Sequence, residues 1–94
     1  MDKFWETVDA QLAELRSAKS ADDVLRILSL ERNPYGPGSA SGDGFFAGGD
    51  GGEMLEALAD AGWSLEWIEA DYHWRMRAPN GDKIKYVEGD IYRG

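Results

Sequence analysis

Apolar positions change period along the chain, and the change divides it into helices and strands. Phe4, Trp5, Val8, Leu12 and Leu15 fall within about a 100° arc at helical spacing, with Glu6, Asp9, Ala10, Ala13 and Glu14 on the rest of the wheel. The spacing predicts a helix over residues 2–17 with one sticky face, whose ordinary use is to pack on a sheet rather than to enter a groove or a membrane. Ser20 followed by Asp23 is a capping-box-like start for a second, short helix carrying Val24, Leu25, Ile27 and Leu28. That helix should stop near Leu30, because Asn33-Pro34 then requires an extended or turn conformation. A third helix starts from Asp50, three residues before Glu53, and runs through Ala61 with Met54, Leu55, Leu58 and Ala61 on its buried side. Gly62 is its natural stop.

After Gly62 the period becomes two. Trp63-Ser64-Leu65-Glu66-Trp67 alternates, and so do the runs on either side of Ala78-Pro79-Asn80-Gly81-Asp82. In that pentapeptide, proline presets the first turn position, asparagine suits the second and glycine takes the left-handed position of a bulged type I turn. A three-residue loop sets Ala78 opposite Asp82, Met76 opposite Ile84 and Trp74 opposite Tyr86, whereas a two-residue loop would mix the faces. Trp63, Leu65, Trp67, Tyr72, Trp74, Met76, Ile84 and Tyr86 then share an apolar face, and His73, Arg75, Arg77, Lys83 and Lys85 share the other. The turn before His73 stays open in this reading; a loop of Ala70-Asp71 alone would place Glu66 opposite Arg75. The expected fold is α+β: helices packed on one face of a three-stranded antiparallel meander, in the order helix, helix, long loop, helix, strand, strand, strand.

Residues 33–52 hold eight glycines and two prolines, a loop too long to be a plain connection and of the kind that is functional or disordered. Phe45 and Phe46 stand within it, and two outcomes are open: they tuck into the domain, or they form an exposed contact for a partner. A phosphate-binding loop is excluded, because no Lys-Ser/Thr pair closes the stretch and Asp43, Asp50 and Glu53 would repel phosphate. The spacing of those carboxylates does not fit a calcium loop either.

Composition narrows the function classes. The 94 residues suffice for one domain with one core and leave no room for a catalytic lobe. Acidic residues outnumber basic ones, 18 to 10, so the chain as a whole repels nucleic acid and anionic membranes. Residues 72–87 run against that balance, with Arg75, Arg77, Lys83 and Lys85 facing only Asp82. The absence of cysteine excludes disulfides and thiolate metal sites. With no signal-like leader and no apolar run of the roughly 20 residues a spanning helix needs, the expectation is a cytoplasmic protein without membrane association.

Chemistry finds little purchase. His73 is the only histidine and on this register lies among cations on the outer face, an exposed strand residue rather than a ligand or a base. Carboxylate pairs such as Asp22-Asp23 and Glu88 with Asp90 lack any visible cleft to separate their acidities. No catalytic, cofactor-binding or metal-binding residue is expected, and the candidate partner-binding residues are Arg75, Arg77, Lys83, Lys85, Phe45 and Phe46. A basic two-stranded ribbon suits an acidic protein surface better than a nucleic acid, given the acidic remainder; it also serves as a solvated face that discourages edge pairing. A further alternative is an acidic imitation of DNA built on the helices.

Ala61-Gly62-Trp63, Trp67, Glu69-Ala70-Asp71-Tyr72, Trp74, Met76-Arg77-Ala78-Pro79, Gly81 and the closing Tyr86-Val87-Glu88-Gly89-Asp90-Ile91-Tyr92-Arg93-Gly94 resemble the C-terminus of small uncharacterised proteins encoded by actinobacterial phages, mycobacteriophages especially. The resemblance covers about the last third of the chain and brings no catalytic or binding residues with it. It implies expression in a bacterial host and a non-enzymatic adaptor or inhibitor whose partner is a host protein.

Overall fold

The computed structural model describes residues 3–36, 38 and 40–94. Its elements, in order, are α1 (Lys3–Leu15), α2 (Ala21–Ile27), a 3-10 turn (Leu30–Arg32), β1 (Gly44–Phe45), α3 (Gly51–Asp60), β2 (Ser64–Ala70), β3 (His73–Arg77), β4 (Lys83–Val87) and β5 (Asp90–Arg93). The five strands form one antiparallel sheet in the order β1-β5-β4-β3-β2.

The helix boundaries follow from the cap chemistry. Ser20 Oγ accepts the Asp23 N–H at 3.1 Å, and Asp23 Oδ2 reaches back to accept the Lys19 N–H at 2.9 Å, one residue further upstream than in the usual reciprocal cap. Asp50 Oδ1 accepts the Gly52 N–H at 2.9 Å and starts α3. Gly62, at φ +97°, ends it: Trp63 N–H returns to Leu58 C=O and Gly62 N–H to Ala59 C=O, both at 3.0 Å, which satisfies two carbonyls the helix would otherwise orphan. Asp2, the expected start of the first helix, lies outside the described residues, as do positions 37 and 39 of the glycine-rich stretch.

The second hairpin has the expected register. Trp74 faces Tyr86, Met76 faces Ile84, and Ala78 N–H donates to Asp82 C=O at 2.7 Å with Gly81 at φ +94°. The inner face of the sheet is buried under the three helices, with Trp74 and Tyr86 stacked at 4.8 Å between ring centroids. Truncating such a ring to alanine costs about 3–5 kcal/mol.

The three-stranded meander is corrected to five strands. Glu88 and Gly89, at φ +49° and +99°, make a two-residue turn whose twist matches the flanking strands, and the chain continues into β5 with Tyr86 facing Ile91. Two residues of the glycine-rich stretch then pair on the far side of β5, Gly44 with Ile91 and Phe45 with Asp90. Phe46 is buried to 1% exposure and Phe45 is half-buried, so tucking in is the outcome realised for Phe46. Asp90 Oδ1 accepts the N–H groups of Ser41 and Gly42, at 2.8 and 3.1 Å, and fastens the segment to the sheet.

The first hairpin also departs from plain alternation. Register shifts between Leu65 and Trp67 and between Ile68 and Ala70 insert extra residues, and the turn is Asp71-Tyr72 because Ala70 pairs with His73. Trp67, not Glu66, therefore stands opposite Arg75, and Trp67 turns to the outer face instead of the core. Leu65 and Ile68 stay on the inner side, opposite Met76 and Trp74, yet are 45% and 44% exposed because they lie at the uncovered sheet edge. Tyr72, expected on the apolar face, sits in the turn and is exposed; so is Trp5 on α1. Among the described residues no helix is long and apolar enough to cross a membrane.

Candidate functional site: the outer face of the sheet

Antiparallel pairing puts directly opposed residues on the same side of a sheet. One outer row therefore reads Trp67, Arg75, Lys85, Tyr92 across β2, β3, β4 and β5, and the next reads Arg77, Lys83. All four predicted cations come together here, on the side away from the helices.

Their surroundings differ. Glu66 holds two of them, with Arg77 Nη2 at 2.9 Å and Lys83 Nζ at 3.6 Å from its carboxylate oxygens. Arg75 and Lys85 form no ion pair among the described residues; each lies instead over an aromatic ring. The Arg75 guanidinium is 6.0 Å from the Trp67 ring centroid and the Lys85 ammonium 5.1 Å from that of Tyr92. A cation held over a ring keeps its charge available while its approach is fixed, at a gain of about 0.5–1 kcal/mol on an exposed surface. A shallow depression of about 430 Å³ spans this ground, from Glu66 and Arg75 past Lys83 and Lys85 to Tyr92 and Arg93. Arg93 is engaged by Asp22 of α2.

His73, on the adjacent row and half-buried rather than exposed, differs in having a carboxylate beside it. Its ring meets Trp67 edge-on at 4.7 Å, and Nδ1 lies 3.2 Å from Glu69 Oε1. No group of three or more histidine and carboxylate side chains is arranged to hold a metal ion among the described residues.

The two phenylalanines do not join the cations. Phe46 is in the core. Phe45 is on β1, at the opposite edge from β2, where its ring meets Tyr35 at 6.2 Å. Reasoning from sequence missed Trp67 and Tyr92 as members of the face. The signal for Tyr92 was present: Glu88-Gly89 between two short alternating runs is a hairpin turn, and continuing the alternation puts Tyr92 beside Lys85. Nothing local marks the bulge that rotates Trp67.

Comparison with protein-family models, with curated proteins and with solved structures finds no match to this chain.

Proposed function

We propose that the chain is a non-enzymatic protein-interaction module that presents the outer face of its sheet to an acidic surface of a host protein, as a phage-encoded adaptor or inhibitor would. The observation that carries this reading is the pair Arg75 and Lys85, adjacent on one uncovered face, unpaired by carboxylates among the described residues and each seated on a ring. Aromatic and arginine side chains in the middle of a flat, uncovered patch are the residue types that anchor protein contacts. The resemblance of the closing segment to actinobacteriophage proteins supplies the host. The chain's net charge of −8 weighs against nucleic acid as the occupant of this face.

Capture from an actinobacterial lysate tests the reading, with and without nuclease, using wild type and Arg75→Glu/Lys85→Glu. We expect a discrete protein partner that survives nuclease and is lost from the double variant. Nuclease-sensitive capture would assign the face to nucleic acid, and retention of DNA-binding proteins by both forms would assign the acidic helices instead. Absence of any specific partner overturns the proposal.

A further inference from the structure

The sheet has one long open edge. β2 ends the sheet, nothing described pairs with its far side, and all but the last of its seven residues are exposed. Beside it runs a trough between β2 and α3, lined by Leu55, Leu65 and Ile68 and rimmed by Glu53, Glu56 and Asp71. The trough continues around the N-terminus of α3, through shared Asp50 and Asp71, into a depression of about 610 Å³ floored by Phe45, Tyr72 and Tyr86 and flanked by Glu88. Neither depression has a lysine or arginine in its lining. The molecule thus carries an apolar channel with carboxylates on its rim and unpaired strand backbone along one side.

From this juxtaposition we infer that the β2 edge and the adjoining trough receive an extended segment of another protein, added to the sheet as a sixth strand, whose trough-facing side chains, every second residue, are apolar in the middle and basic at the ends. Main-chain pairing to β2 supplies attachment, the apolar residues cover Leu65 and Ile68, and the basic ones meet the rim. Charge selects the occupant. A second copy of β2 would bring Glu66 and Glu69 of both strands together, and like charges across a strand pair are unfavourable. Bulges and acidic side chains guard an edge against its own kind, while the rim carboxylates Glu53, Glu56 and Asp71 attract basic ends. The two register shifts leave short regular runs, so few ladder bonds form and charge contributes a large share of the binding. This surface shares no cation with the outer-face patch, and the two proposals stand or fall separately.

The test uses the ¹⁵N-labelled full chain and a nine-residue peptide whose odd positions read lysine, valine, valine, valine, lysine with threonine between them, at low and high salt. Controls are the same peptide with glutamate for lysine, and one with alternate backbone amides N-methylated to block strand pairing. We expect saturable binding that shifts the amides of residues 64–70 and weakens at least about tenfold in high salt and with the glutamate peptide. The N-methylated peptide should also bind at least tenfold more weakly, as should the exposed helix-surface variant Glu53→Lys/Glu56→Lys, while Arg75→Glu/Lys85→Glu binds no more weakly than wild type. Equal binding of the N-methylated peptide, shifts confined elsewhere, no binding at millimolar peptide, or self-association through β2 in sedimentation would each overturn the inference.

Discussion

Gly51 stands where the fold has no room for a methyl group. A Cβ there would lie 2.0 Å from the Asp71 carbonyl oxygen and 2.5 Å from the Tyr86 ring, because the first turn of α3 is seated directly on the β2–β3 turn. Glycine to alanine within a helix ordinarily gains about 1 kcal/mol. Here the overlap with backbone reverses the sign, and Gly51→Ala should destabilise the protein by about 1–3 kcal/mol in urea unfolding. Tyr86 itself makes a pH-dependent contribution. Burial, with the carboxylates of Asp50, Asp90 and Glu88 adding to it, pushes the phenol up to about 12. Its folded pKa is raised above the unfolded value of about 10, so the contribution is intact below pH ~10 and lost as pH rises toward 12. The loss should be on the order of 2–3 kcal/mol, read as the difference between wild type and Tyr86→Phe in denaturation curves from pH 9 to 12. Neither role was legible in the sequence: Gly51 is one of many glycines in its stretch, and Tyr86 could be placed in the core without revealing which carboxylates surround it.

At the scale of elements, legibility followed the strength of local chemistry. Helix starts at Ser20 and Asp50, the stop at Gly62 and the register of the second hairpin all rest on side-chain bonds or backbone conformations set within a few residues. The misread elements depend on distant partners. β2 alternates on paper, but its bulges are set by pairing with β3, and so Trp67 leaves the core face; β1 is two residues long and exists only because β5 offers an edge. Asp90 makes that seat, holding the Ser41 and Gly42 N–H groups. Asp90→Ala should release it: amides of residues 41–46 are expected to exchange roughly tenfold or more faster, at about 1–3 kcal/mol for hydrogen bonds to a charged group, while those in the middle of α3 keep their protection.

Across the whole molecule, charge is sorted onto opposite sides. The basic face was readable from alternation around the Ala78–Asp82 turn, because His73, Arg75 and Arg77 on one strand and Lys83 and Lys85 on the other fall at every second position. Its fine structure was not, since Glu66 reaches Arg77 and Lys83 only through the bulge that also places Trp67. Glu66 thereby mutes half of the patch. Glu66→Gln should cost at most about 1 kcal/mol of stability, the range of exposed ion pairs. It should strengthen capture of an acidic partner several-fold at low salt, an effect that 0.5 M salt removes and that titration of the captured partner would measure.

The seating of β1 on β5 also bears on the order in which the chain assembles. Strands β2 to β5 join through short turns, so their pairing closes small loops, whereas Gly44 reaches Ile91 only after α3 and the hairpins between them are in place. Contacts that close late contribute little to the folding transition state. Weakening the β1 seat should then leave the refolding rate nearly unchanged and appear almost wholly as faster unfolding.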